Sequence, residues 1–357
     1  MIDVSQINIH QLIIHKVGSA ARDEGVWVSR DLTDVAGDDE LRLALTQYFV
    51  KPFKFDWFYR LHHEADLSMN EIYTFASRIF DQPATFQEQS VHILNHLYAQ
   101  STHPQIKPGE LYVTHFNNVL YGNFSVDAIG IFKSENKDAF LQVKEKSDTD
   151  LGVYLQEGIN IKKLDKGCII FNLYADSGYR VCMVDTGSRG FEEAQYWKDD
   201  FLQLAMVEDE HYYTDEAITM CSEFYDSVIA PASELPEKKE KLEFINSTME
   251  YFSKHDTFDE QSFVDTVLHE RPQHAQHAPM FKAYKETYEE ANDLPPFDAM
   301  PISHVALKKA KQSIRNNIKT DTGIDIKLKN ESFPYLERGY DEERQMYFYK
   351  VYFNEEE

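Results

Sequence analysis

The chain has 357 residues, 42% of them hydrophobic and 13% aromatic, and a formal net charge of −25. That apolar content excludes an acidic disordered chain, and the length suits about two domains with a sizeable core. An acidic bulk repels nucleic acid at long range, so any contact with DNA has to be local.

The opening segment, MIDVSQINIHQLIIHKVG, lacks a basic leader region and a small-residue cleavage site. It predicts a strand over Gln6–Val17 rather than a signal peptide. No apolar run approaches the ~18 residues that span a bilayer, so a cytoplasmic protein without a membrane partner is expected. A helix is expected near Asp39–Val50, closed by Pro52. Ser68-Met69-Asn70-Glu71 and Thr85-Phe86-Gln87-Glu88 read as capping boxes opening helices at about 69–80 and 86–99. Ile72, Phe75, Ala76 and Ile79 form one core-facing stripe, and Val91, Leu94 and Tyr98 another.

From Glu110 the period becomes alternating. Leu111–Phe116, Phe124–Phe132, Phe140–Val143, Cys168–Tyr174 and Tyr179–Val184 predict strands. Strands that follow one another without helices between them predict an antiparallel sheet. Cys168 and Cys182 sit inside two of these runs, Cys221 lies apart, and there is no CxxC spacing. Reduced core thiols in a cytosolic protein are expected.

Beyond Gly190 the pattern turns helical and acidic. Trp197–Val207, Asp215–Ile229, Lys238–Phe252, Gln261–His269 and Phe281–Ala291 are the expected helices, with Thr214 and Thr257 as N-caps. Leu294-Pro295-Pro296 breaks the series. After Gly323, Ile324, Ile326 and Leu328 alternate with Asp325, Lys327 and Lys329. This stretch is expected to pair with Met346–Phe353, MYFYKVYF, as a terminal ribbon across a link containing Pro334 and Gly339. The fold class is therefore α+β. An antiparallel sheet with flanking helices occupies an N-terminal domain, 1–190. A mostly helical domain, 191–357, ends in a basic helix and a two-stranded ribbon.

Three motifs suggest chemistry. His92 and His96 have the i, i+4 spacing that lets two imidazoles meet one metal, but no Glu follows the first, and two satisfied helix histidines explain them better. His62-His63-Glu64 and His269, His274 and His277 are similar cases, so no metal site is assigned. Asp185-Thr186-Gly187-Ser188 is similar to the aspartic-protease signature, which needs a second carboxylate that the chain does not supply. A Gly-containing turn closing a strand accounts for it, and an aspartate-dependent hydrolase at this turn stands as the remote alternative. No G-x-G-x-x-G, Walker A or G-x-S-x-G element occurs, so no catalytic residue and no cofactor are expected. The rings of MYFYKVYF could stack on bases, although aromatics at strand spacing usually form cross-strand or core pairs.

The most informative stretch is Ser303–Lys319. Lys308, Lys309, Lys311, Arg315 and Lys319 fall there without a single Asp or Glu. Leu307, Ala310, Ile314 and Ile318 recur at helical spacing, and Lys308, Lys311, Arg315 and Lys319 follow one residue later. A helix over 303–319, stopped by Gly323, would dock one stripe and show the other to solvent. On spacing alone a solvated helix face accounts for the same pattern. Lys327 and Lys329 extend the positive charge onto the ribbon.

Two ends of the chain carry a resemblance. The strand INIHQLIIH, Ile7–His15, and the segment ERGYDEER, Glu337–Arg344, together with the order of features between them, resemble the NdpA-type nucleoid-associated protein family of bacteria. The resemblance implies a cytoplasmic protein on the nucleoid, without enzymatic activity or cofactor, and it carries over no active-site residue. Combined with the basic stripe, the expected function is weak, largely sequence-independent association with duplex DNA. Lys308, Lys309, Lys311, Arg315, Lys319, Lys327 and Lys329 would be the contacts. The alternative is an acidic interaction module brought to the nucleoid by a DNA-bound partner. Exposed ribbon edges also allow a homodimer.

Overall fold

The computed structural model describes residues 2–147, 150–186, 196–232, 238–269, 275–314 and 316–355. The chain divides into two compact units, Met1–Val207 and Glu208–Glu357. The domain boundary expected at 190 lies outside the described residues.

The first unit is built on one antiparallel sheet. Its strands are β1 (Ile2–Asp3), β2 (Asn8–Val17), β3 (Val26–Trp27), β4 (Tyr59–Leu61), β5 (Gly109–Tyr121), β6 (Phe124–Ser134), β9 (Lys166–Phe171), β10 (Arg180–Asp185) and β11 (Leu204–Met206). The order across the sheet is β11-β4-β10-β9-β6-β5-β2-β3, with β1 on the far end of β5. Helices α1 (Asp39–Val50), α2 (Glu71–Asp81) and α3 (Phe86–Gln100) cover it. One face packs Ile13, Val113, Ile131, Ile170 and Val181 against Ile72, Ile79, Ile93 and Leu97 of α2 and α3. The other packs Leu12, Tyr112, Phe132, Ile169 and Cys182 around Tyr48 and Phe49 of α1. Phe49 stacks on Phe132 at 4.4 Å. Both faces are thus buried, which is why these strands read as apolar runs. Cys168 and Cys182 are free, buried thiols on opposite faces, and burial pushes both thiol pKa values up.

The predicted antiparallel sheet with flanking helices is borne out, with local corrections. Neither capping box forms. Asn70 caps α2, accepting from the Tyr73 amide at 2.8 Å, while its own amide donates to the carbonyls of His62 and Leu202, each at 3.0 Å. Thr85 donates its hydroxyl to the Gln82 carbonyl at 2.8 Å instead of capping α3. The helix expected at Trp197–Val207 is a short π-helix at Tyr196–Phe201 followed by β11. Pairing with β4 overrides the helix-favouring Leu204-Ala205-Met206. An additional strand, β8 (Asp150–Gly158), pairs with β7 (Asp138–Ser147) in a ribbon separate from the main sheet. Leu141, Val143, Leu151, Val153 and Leu155 share one face of that ribbon, and all five are exposed.

The second unit is helical, with α4 (Glu210–Phe224), α5 (Lys238–Lys254), α6 (Ala278–Ala291) and α7 (His304–Ser313). Met220 and Phe224, Phe244 and Phe252, and Phe281 make its core, joined by Phe263, Leu268 and Leu307. Asp209 and Asp259, rather than the expected Thr214 and Thr257, cap α4 and a short helix at Glu260–Phe263. Asp209 accepts from the His211 and Tyr212 amides at 3.0 and 3.2 Å, and Asp259 accepts from Ser262 at 2.7 Å. An aspartate at these positions also offers charge to the helix dipole.

Two small ribbons close the chain. Residues 317–319 (β12) pair with 325–327 (β13), and Leu336–Asp341 (β14) pairs with Met346–Val351 (β15). A terminal two-stranded ribbon is therefore present, but its partner differs from expectation. MYFYKV pairs with the ERGYD segment, because the turn at residues 342–345 joins neighbours directly.

Candidate nucleic-acid interface

Helix α7 is shorter than the stripe suggested. It ends at Ser313, and Ile314 is already extended. The apolar spacing continues numerically to Ile318, but Asn316 and Asn317 are poor helix formers with better local partners. The Asn316 side chain accepts from Asn246 at 3.1 Å, and its carbonyl accepts from the Leu328 amide at 2.8 Å. Ile318 is buried with Leu242, Phe333 and Leu336. Gly323, at φ +84°, serves the β12–β13 turn rather than a helix stop.

What holds α7 is its apolar side. Ala306 and Leu307 are buried, and Ala310 and Ile314 pack on the same core. The Ser303 side chain caps the helix on the Ala306 amide. The Ser303 amide in turn donates to the Thr214 hydroxyl of α4 at 2.9 Å. The first turn is therefore fixed, and the lysines stand on the opposite side.

The described cations divide by their company. Lys308 and Lys311 line one cleft of about 420 Å³ with His304, Gln312 and Ser253. The Lys311 ammonium donates to the Ser253 hydroxyl, a neutral partner. Lys309 turns the other way, 3.7 Å from the Asp215 carboxylate. Lys319 sits on β12, 3.9 Å from Asp325. Lys327 pairs in register with Asn317, so Lys319 and Lys327 share the outer face of that ribbon, while Ile318 and Ile326 share the inner one. Lys308, Lys327 and Lys329 are exposed, with no carboxylate partner among the described residues. Arg315 lies outside the described residues. Acids are close by: Glu250 borders Lys311 and pairs with Lys254 at 2.6 Å. The Lys254 bond, with the Lys311 charge behind it, holds the Glu250 carboxyl below the usual range.

The aromatic ribbon forms the cross-strand pairs that its spacing suggests. In the β14–β15 register, Arg338, Tyr340 and Tyr347 fall on one face. The Arg338 guanidinium lies 4.0 Å from the Tyr347 ring centroid, and Tyr340 meets Tyr347 edge-on at 4.9 Å. Both tyrosines are about half exposed, at 50% and 45%. Cross-strand pairing and exposure thus coexist, leaving ring surface open beside a cation. Alternation alone could not separate this from a core strand.

The other motifs are occupied. His96 is buried, contacts Glu71 through Nδ1 and the Phe201 carbonyl through Nε2 at 3.0 Å, while His92 stacks on Phe75. His62 lies 3.3 Å from Arg60, and His63 accepts from the Ala65 amide at 3.2 Å. His269 contacts Asp265 at 3.0 Å, and His274 is outside the described residues. Among the described residues no group of three or more His, Cys, Asp or Glu could hold a metal ion. Asp185 is engaged by the Lys166 ammonium at 2.8 and 2.9 Å, and Thr186 bonds back to Leu164 and Asp165. Gly187 and Ser188 lie outside the described residues. No described helix is long and apolar enough to cross a membrane.

Comparison with curated proteins found no match. The family model described as Nucleoid-associated protein YejK matches residues 13–348. That span takes in the whole Glu337–Arg344 segment and, of the opening Ile7–His15 segment, residues 13–15. The chain belongs to the nucleoid-associated protein YejK family.

Proposed function

We propose that this family member binds DNA directly, weakly and with little sequence preference, through unit 2. Lys308 and Lys311 on α7 and Lys327 and Lys329 on the ribbon neutralise backbone phosphates. Lys309 and Lys319 contribute less, because each already faces a carboxylate. Phosphate contacts carry no base information, so the association is largely sequence-independent. The single observation supporting this is the set of exposed ammonium groups, those of Lys308, Lys327 and Lys329, without carboxylate partners among the described residues of an otherwise acidic chain. Arg315 belongs to the same proposed surface on sequence grounds.

The proposed role is non-enzymatic. Asp185, the one enzyme-like carboxylate, is held by a buried lysine, and Asp185→Asn is expected to alter no activity beyond stability. A gel-shift titration of the purified protein alone, with duplex and single-stranded DNA at two salt concentrations, tests direct contact. A shift that weakens with salt supports it, and no shift at the lower salt refutes it.

A second mode is recruitment by a basic, DNA-bound protein, favoured by the acidic excess of the chain. A nucleoid protein that co-purifies after nuclease treatment would support recruitment. For a homodimer, the support is the β7–β8 ribbon, which exposes two strand edges and a self-complementary aliphatic face.

A further inference from the structure

The first unit contains an open cleft of about 1080 Å³, at the upper end of small-ligand sites. Six lysines line it, against Glu135, Asp138 and Asp165. Among the described residues no arginine lines it.

The floor is a completed polar network. Lys133 is 0% exposed, and its ammonium donates to Glu135 at 2.7 Å, to the Lys107 carbonyl at 2.7 Å and to the Tyr196 hydroxyl at 3.3 Å. Lys166, also buried, pairs with Asp185. Both ammonium groups lie over the Tyr196 ring, at 5.7 and 5.3 Å. Burial pulls the Lys133 pKa down, against the pull of Glu135. Buried cations are costly unless paired, and here each has its counter-charge.

That network consumes the acids. Asp165 accepts from the Glu135 and Asn136 amides at 2.7 and 3.0 Å and from the Asn136 side chain at 2.7 Å. Glu135 serves Lys133 and Tyr196. Asp138 serves Asn160 and, at 3.7 Å, Lys163. Lys51, Lys107 and Lys162 on the rim are exposed and have no carboxylate partner among the described residues; the Lys107 ammonium touches only the neutral Asn136 side chain at 2.8 Å.

We propose that this cleft binds a small ligand carrying two or more linked phosphates, with nucleoside polyphosphates as the matching class. Ammonium groups act as point charges on phosphate oxygens, whereas a planar carboxylate is best met by an arginine fork, and none of the described lining residues is an arginine. Pro52, Ile106, Ile161 and Leu164 give the cleft an apolar wall for a base or another uncharged part. The bowl shape favours a free ligand, whose terminal phosphates can enter it, over a continuous duplex, whose phosphates stay on a cylinder. The cleft lies within the first unit and helix α7 within the second.

Isothermal titration of the full chain with pyrophosphate and with ATP tests the assignment. Saturable binding is expected, weakened at least tenfold by Lys51→Glu with Lys162→Glu. Lys308→Glu with Lys311→Glu should leave it unchanged, which separates this site from the proposed DNA surface. Both rim lysines are exposed, and circular dichroism checks that the variant is folded. Absence of saturation with both probes at millimolar concentration, or equal affinity in the Lys51/Lys162 variant, overturns the assignment. Competition by duplex DNA would also overturn it, because the cleft would then belong to a nucleic-acid surface.

Discussion

The sharpest consequence concerns salt. Each phosphate neutralised by a lysine releases condensed counterions, so the log of affinity falls with the log of salt at about −0.9 per contact on duplex DNA. Lys308, Lys327 and Lys329 are exposed and without carboxylate partners among the described residues, and Lys311, also exposed, donates to the neutral Ser253 hydroxyl with Glu250 nearby. Four contacts give a slope of about −3.6, or roughly a 150-fold loss of affinity for a fourfold rise in salt. Lys308→Glu with Lys311→Glu removes two and brings the slope to about −1.8, roughly a 12-fold loss. Lys309 and Lys319 behave differently. Each sits in an exposed ion pair worth about 0–1 kcal/mol, so each must exchange a carboxylate for a phosphate. Lys309→Ala should therefore change the slope by less than Lys308→Ala. Fluorescence anisotropy of a labelled duplex, titrated at four salt concentrations, measures all of these. A wild-type slope near zero, or one unchanged in the Lys308/Lys311 variant, would refute the reasoning.

Other consequences test the scaffold. His15 is buried, accepting from the Ser29 amide at Nδ1 and facing the Ser90 hydroxyl with Nε2, and desolvation lowers its pKa to about 4. Between pH 6.5 and 4 the unfolded chain takes up a proton that the folded chain refuses, so stability falls as pH falls, by about 3 kcal/mol for this group. Urea midpoints measured from pH 7 to 4 should show that slope flattened in His15→Gln. Gly178, at φ +90°, leaves no room for a Cβ, which would lie 2.0 Å from the Leu61 carbonyl oxygen. Gly178→Ala should cost about 3 kcal/mol and lower the melting temperature by about 6–12 °C, read by calorimetry. Leu141→Asp with Leu155→Asp should abolish any self-association seen by light scattering. If the wild-type mass is already that of one chain, the β7–β8 face does not join two copies.

Much of the fold was legible because strand alternation and helix period are local. The register of β9 and β10 follows from apolar runs on either side of the Ala175–Gly178 turn. What escaped depends on distant partners. Leu204-Ala205-Met206 becomes a strand because β4 offers an edge, and the sequence window contains no trace of β4. The basic stripe was read nearly two turns too long because Ile314 and Ile318 keep helical spacing, while Asn316 between them bonds to Asn246 of α5 and to the Leu328 amide. Lysines of the first-unit cleft come from positions 51, 107 and 162. They share no motif, and only the folded first unit brings them to one rim. By contrast, the cations of α7 lie within one turn of helix and were visible at once, although the pairing of Lys309 depends on Asp215, which lies far off in sequence.

Lysine reactivity footprinting tests direct DNA contact most simply. The intact protein is reductively methylated with and without saturating duplex DNA at low salt, and modification is read peptide by peptide in a mass spectrometer. Lys308, Lys311, Lys327 and Lys329 should be protected several-fold, while Lys51 and Lys162 react as before. Equal modification of those four lysines with and without DNA would contradict a protein that grips DNA through its C-terminal unit.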